Sequence, residues 1–159
     1  MKLLVLLTLT DIDAMPLYRL AFFLIVACLL GCTSAPDKPA SGAGLPDCGM
    51  FPNCVNSQLT EGSKAVAPLR ATKQQWQQLK QWIASQQDWT ITTDSGAFVQ
   101  AVVKTPLMRF RDDVQMRFVQ DAGVIHVRSA SRLGISDMGT NRRRVEMLRS
   151  QLQGEKPGI

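Results

Sequence analysis

Val124-Ile125-His126-Val127-Arg128-Ser129-Ala130-Ser131-Arg132 is the stretch on which the fold turns. Side chains in a strand alternate between two faces. Ile125, Val127, Ser129 and Ser131 therefore share one face, and His126, Arg128, Ala130 and Arg132 share the other. One apolar and one polar face is the habit of an antiparallel sheet. The turn Asp121-Ala122-Gly123 precedes this strand. Before it, Val114 to Val119 repeats the pattern, with Val114, Met116 and Phe118 on the apolar face and Gln115 and Arg117 on the other.

Three more strand signals lie upstream: Leu107 to Arg111, Phe98 to Lys104, and Trp89 to Thr93, the last two joined by the turn Asp94-Ser95-Gly96. Short strands divided by turn residues predict an antiparallel meander. A helix is predicted from about Lys73 to Gln87. Thr72 followed three residues later by Gln75 makes a capping box. Trp76, Leu79 and Ile83 form its apolar stripe, with Trp82 flanking it. A second helix covers about Asn141 to Leu152, with Val145, Leu148 and Leu152 on one side. The expected fold class is α+β: an antiparallel sheet of about four to five strands with two helices packed on one face. Residues 48–71 read as a loop-rich lead-in.

The N-terminal part has a different character. Leu20 to Leu30 is an apolar run closed by Gly31-Cys32 and followed by Thr33-Ser34-Ala35-Pro36. Read from Met15, a short basic segment containing Arg19 precedes that run, as a secretory signal requires. Read from Met1, Asp11 and Asp13 interrupt the apolar stretch. Met15 is therefore the expected start. The pattern resembles the lipobox of bacterial lipoproteins, which implies that Cys32 is acylated and opens the mature chain. A transmembrane anchor would need ~20 apolar residues, and neither apolar run reaches that length. The expected organisation is a signal peptide over 1–31, a lipid-anchored tether over 32–47, one domain over 48–153 and a tail over 154–159. The Ser/Ala/Pro/Gly-rich tether would reach roughly 20 Å as a flexible coil. Thr33 in place of Asp favours the outer membrane, by resemblance to the sorting rule of Gram-negative lipoproteins. The expected location is thus the cell envelope, on the periplasmic face of the outer membrane in a Gram-negative cell.

If Cys32 carries lipid, Cys48 and Cys54 remain as thiols. An even pair at short range in an oxidising compartment reads as a disulfide. A redox-active pair is the alternative, but it usually wants a C-x-x-C spacing.

The formal charge of +5 sits entirely in residues 104–159, which hold eleven basic groups against six acidic ones. Nine of the eleven are arginine, whose donor fork suits carboxylates and phosphates. Arg117, His126, Arg128 and Arg132 are expected on one exposed basic sheet face, as an anion site or as structural partners of Asp112 and Asp113. Arg142, Arg143 and Arg144 stand in the first turn of a helix, where cations oppose the helix dipole. Asp112, Asp113, Asp137 or a bound anion should offset them.

Other chemistries find little support. His126 is the only histidine, and strand alternation points it away from Ser129. No G-x-S-x-G elbow is present. One histidine beside a cystine leaves few ligands for zinc. No cofactor or metal is expected. Nucleic acid is not an expected partner, because no aromatics interleave with the basic residues.

Longer motifs resemble a known family. Phe51-Pro52-Asn53-Cys54-Val55-Asn56-Ser57-Gln58 is similar to the P-N-C-V-S-S-Q signature of the bacterial domain of unknown function 1499. Phe110-Arg111-Asp112-Asp113-Val114 resembles its F-x-D-D element. The run from Gly123 through His126 and Arg132 to Glu146 resembles its longest motif, I-H-V-R-S-A-S-R-x-G-x-S-D-x-G-x-N-R-x-R-V-E. Asn56 departs from the usual Ser, and Met116 stands where an aromatic is common. The resemblance implies an envelope protein, often lipid-anchored, with no assigned activity and no catalytic residues.

Two functional expectations follow. The first is a non-enzymatic envelope lipoprotein, held by acylated Cys32, that binds an anionic ligand or protein partner through its arginines. The second is a hydrolase using Asp113 and His126. A scaffold whose Arg–Asp network only holds the fold is a third.

Overall fold

The computed structural model of the chain describes residues 44–154. The signal segment, Met15, Cys32 and most of the tether lie outside the described residues. The elements are β1 (Cys54–Asn56), β2 (Leu69–Arg70), α1 (Lys73–Ser85), β3 (Trp89–Asp94), β4 (Phe98–Lys104), β5 (Arg111–Val119), β6 (Val124–Ser131) and α2 (Thr140–Gln153). All six strands belong to one antiparallel sheet. Its order is β1-β6-β5-β4-β3, and β2 also pairs with β6. The class is α+β, as expected.

Alternation along β5 and β6 sets the layers. Val114 faces Ser129, Met116 faces Val127 and Phe118 faces Ile125 across the ladder. The apolar residues among these lie in one core with Val99, Ala101 and Val103 of β4, Trp76, Leu79 and Ile83 of α1, and Val145 and Leu148 of α2. Each large apolar side chain so buried contributes about 1.5–3 kcal/mol relative to exposure. Trp76 also donates its indole N–H to the Gly96 carbonyl at 2.8 Å, tying α1 to the β3–β4 turn. That turn needs Gly96, whose φ is +81°.

The capping box on α1 is complete. Gln75 N–H donates to Thr72 Oγ1, and Thr72 N–H donates to Gln75 Oε1. The helix stops at Ser85, two residues short of the expected end. Gln86 turns to an extended conformation there, with its N–H on the Ile83 carbonyl.

Two expectations need correction. Leu107 to Arg111 is not a strand. Thr105 N–H donates to the Phe110 carbonyl and Arg109 N–H to the Thr105 carbonyl, closing a loop between β4 and β5. Pro106 has no N–H to give a ladder. In consequence β5 starts earlier than expected, at Arg111, and takes Asp112 and Asp113 into the sheet. The lead-in is also more ordered than a loop. β1 and β2 both pair with β6, at Cys54↔Ala130 and Leu69↔Ile125. Three- and two-residue strands are too short for a period of two to show.

Candidate functional site

Asp112 and Asp113 point to opposite faces, because they are neighbours on β5. Each meets its own arginine. On the helix side, Arg144 Nη2 donates to Asp112 Oδ2 at 2.6 Å. Arg144 Nη1 donates to Ser129 Oγ and to Asn141 Oδ1. Asn141 in turn gives its side-chain N–H to Ser131 Oγ and to the Asn53 carbonyl. This buried network joins α2, β5, β6 and the segment before β1. Because the helix starts at Thr140, one residue earlier than expected, Arg144 falls in its second turn, and all three arginines have partners near the helix start. Arg144 has Asp112. Arg142 donates to the Ser63 and Ala65 carbonyls, and Arg143 to the Met138 carbonyl and Thr140 Oγ1. Asp137 plays a different part. Its carboxylate accepts the N–H groups of Gly139 and Asn141 and so caps the helix start.

On the far face, Arg132 forks onto Asp113, with Nε to Oδ2 and Nη2 to Oδ1 both at 2.8 Å. Those hydrogen bonds raise the Arg132 pKa above its ordinary value. Beside this pair the register brings together Arg117 with His126, and Gln115 with Arg128. Arg117 lies over the Phe98 ring, 5.5 Å from its centroid. Arg128 Nη1 donates to Gln115 Oε1 at 3.2 Å. Burial lowers the Arg128 pKa, and the charges of Asp113 and Asp47 oppose that shift.

The far face is not the open basic surface expected of it. Phe98, Gln100, Asp113 and Gln115 are buried there, and Arg117, His126, Arg128 and Arg132 are only part-exposed. The buried Nε atoms of Arg117 and Arg128 have no hydrogen-bond partner. Neither arginine has a carboxylate within salt-bridge distance among the described residues, unlike Arg132 and Arg144.

Asp113 and His126 do not come together. Asp113 pairs with Ala130 and His126 with Arg117, so four ladder steps, roughly 13 Å, separate them. Asp113 is engaged by Arg132. His126 Nδ1 lies 3.4 Å from Ser57 Oγ, a partner that sequence reasoning missed. Ser57 Oγ accepts the Val127 N–H at 2.8 Å, which makes it a link between the lead-in and β6. Its place in the Phe51–Gln58 motif was the signal available.

A separate cavity of about 860 Å³ lies between β2, the β5–β6 turn and the ends of both helices. Arg70, Lys73 and Arg149 rim it, and Phe118 and Leu152 help line it. Arg149 is committed to the Ala67 and Pro68 carbonyls and to Glu146. None of the residues expected to carry function borders this cavity.

Cys48 and Cys54 form a disulfide. It closes the loop that carries Met50 to Asn53 onto the start of β1.

No curated protein and no solved structure matches the chain. A family model described as "Protein of unknown function (DUF1499)" matches residues 44–152. This span takes in the sheet, both helices and both Arg–Asp pairs, and on it the chain belongs to the DUF1499 family.

Proposed function

We propose that this chain is a lipid-anchored protein of the bacterial envelope whose domain binds an anion, without catalysis, through Arg117, Arg128 and His126. One observation carries the reading: the Nε donors of Arg117 and Arg128 are buried and unpartnered, whereas Arg132 and Arg144 are each consumed by an aspartate. An unsatisfied buried donor costs about 1–3 kcal/mol. A phosphate or carboxylate at this place would supply acceptors to both guanidinium groups. They project from adjacent strands at diagonal positions, with Cβ atoms about 7–8 Å apart, a span that one small anion or headgroup bridges. Attachment through Cys32 rests on the lipobox pattern and would hold the domain at a membrane surface.

The test is calorimetric titration of the full chain with glycerol phosphate at low and high salt. Binding should weaken as salt rises. It should vanish when Arg117→Gln and Arg128→Gln are combined. Binding that ignores both changes defeats the anion reading. Mass spectrometry of the N-terminal peptide tests acylation separately.

A further inference from the structure

Strand direction collects three loops at one end of the sheet. β4 ends there at Lys104 and β5 begins there at Arg111, which are register partners. β6 ends beside the start of β1. The loops are residues 49–53, 105–110 and 132–139. Hydrogen bonds tie the first loop to the third, and the third to the start of β5. Asn53 Nδ2 donates to the Gly134 carbonyl at 2.7 Å, and Arg132 N–H donates to the Arg111 carbonyl at 3.2 Å.

Every large hydrophobic side chain that stands exposed among the described residues belongs to these three loops. Met50 and Leu107 are 89% exposed, Met138 88% and Ile135 70%. The opposite end, with the turns at Asp94–Gly96 and Gln120–Gly123, has none. Exposed apolar side chains scattered singly need no explanation, but a concentration of this kind marks an interaction surface. Among the described residues, the two non-glycine residues with positive φ, Arg109 and Met138, also lie here. Such backbone is disfavoured unless something holds it.

We infer that this three-loop end inserts into the surface of a membrane carrying anionic lipid headgroups. The charge around the apolar tips fits that occupant. Lys104, Arg109 and Arg111 flank them. Asp137 is the one carboxylate in the three loops, and its oxygens are taken by Gly139 and Asn141. Among the described residues, the one carboxylate that the Arg109 side chain meets is Asp88, in an exposed contact at 3.5 Å. Apolar tips within a basic collar match an acyl boundary beneath a layer of negative headgroups. The cavity beside β2 and two smaller ones among the described residues are lined by none of these tip residues, so the tips do not border the grooves that a peptide segment would fill there. The chain also leads to this end. Leu45 to Cys48 runs straight into the loop at 49–53, whose base the Cys48–Cys54 disulfide closes. The twelve steps from Cys32 to Gly44 span at most roughly 40 Å, enough to keep the tip within reach of the membrane that the anchor would occupy. The inference is independent of the anion site on the sheet.

The experiment uses the full chain reconstituted into vesicles of phosphatidylethanolamine and phosphatidylglycerol with brominated acyl chains. Leu107→Trp and Ile135→Trp report on the tip, and Asp121→Trp on the opposite end. All three positions are exposed, so the fold should tolerate each change, and a melting curve checks it. Measured as the difference from the parent chain, whose Trp76, Trp82 and Trp89 set the background, bromine should quench the tryptophans introduced at 107 and 135 severalfold more than the one at 121. Arg109→Gln with Arg111→Gln should reduce that difference. Equal quenching at both ends overturns the inference. So does no quenching at 107 and 135, including the case in which a protein partner covers the tip. Quenching at 107 in a chain whose N-terminal peptide carries no lipid would sink the anchor and leave the tip standing. A lipidated chain without quenching at 107 would do the reverse.

Discussion

Arg144 and Asp112 meet at 2.6 Å with 6% and 1% of their side chains exposed. The pair joins the fifth residue of α2, at the start of its second turn, to the second residue of β5. It gives each of two buried charges its counter-charge. Removing one partner leaves the other charged and buried, which costs about 3–5 kcal/mol. Arg144→Ala should therefore lower the melting temperature by more than about 10 °C for a domain of this size. Asp112→Asn should cost less, because the amide oxygen still accepts a hydrogen bond. A double-mutant cycle by thermal denaturation measures the coupling. Additive losses would mean that the pair only fills space.

How far this arrangement was legible in the sequence depends on the residue. The opposite headings of Asp112 and Asp113 follow from the two-residue period once both are in a strand. The core faces of β5 and β6 and the stripe Trp76-Leu79-Ile83 follow from periodicity as well. The burial of Arg144, Asn141 and Gln115 does not, because a polar residue inside a periodic pattern reads as solvent-facing. Their partners lie on other elements, and only tertiary structure shows them. The segment 107–110 has strand-like apolar residues, but Pro106 gives no ladder N–H and Leu107, Met108 and Phe110 stand exposed in a loop, which composition alone does not show. The gathering of the apolar tips depends on strand direction at three separate places, which no local pattern encodes.

The Cys48–Cys54 bridge closes a loop with a sequence separation of 6. In the chain-entropy picture so short a loop is worth about 2 kcal/mol. Cys48→Ser combined with Cys54→Ser should lower the unfolding free energy by that amount, read as a lower denaturant midpoint at nearly unchanged slope. The local effect should be sharper. Amide exchange at Asn53 and Cys54 should rise well above that in β5, since the bridge pins the start of β1. Uniform exchange across the sheet would place the effect of the bridge in the unfolded chain alone.

Asp94 adds a pH dependence of known sign. Burial pushes its pKa up, but the Gly96 N–H and the Lys80 ammonium pull it further down, so it ends below the ordinary 3.8. A depressed carboxyl pKa means that the folded state favours the charged form. The stabilisation is full above about pH 4 and fades as pH falls through the lower folded value. Because Asp94 is 39% exposed, solvent screening keeps the effect below about 1 kcal/mol. Urea denaturation of wild type and Asp94→Asn should differ at pH 6 and converge near pH 2. A gap that widens toward acid would reverse the sign and count against the assignment.

Arg128 on β6 and Arg132, four residues on and just past the strand's end, face the same way off the sheet, yet they should respond oppositely to the same substitution. Arg132 forks onto Asp113, whose side chain is 4% exposed. Arg132→Met would strand that carboxylate, at a cost of about 3 kcal/mol or more. Arg128 has no carboxylate within 4.0 Å among the described residues, and its buried Nε is unsatisfied. Arg128→Met gives up one bond to Gln115 but also removes a partly desolvated cation. Its stability should change by less than about 1 kcal/mol in either direction. Titration with glycerol phosphate should show the inverse order. Arg128→Met should abolish salt-sensitive binding, and Arg132→Met, assayed below its melting temperature, should retain it. A residue that contributes little to stability but carries the binding is what a functional guanidinium looks like. Equal losses of stability in both variants would instead make Arg128 a second structural arginine.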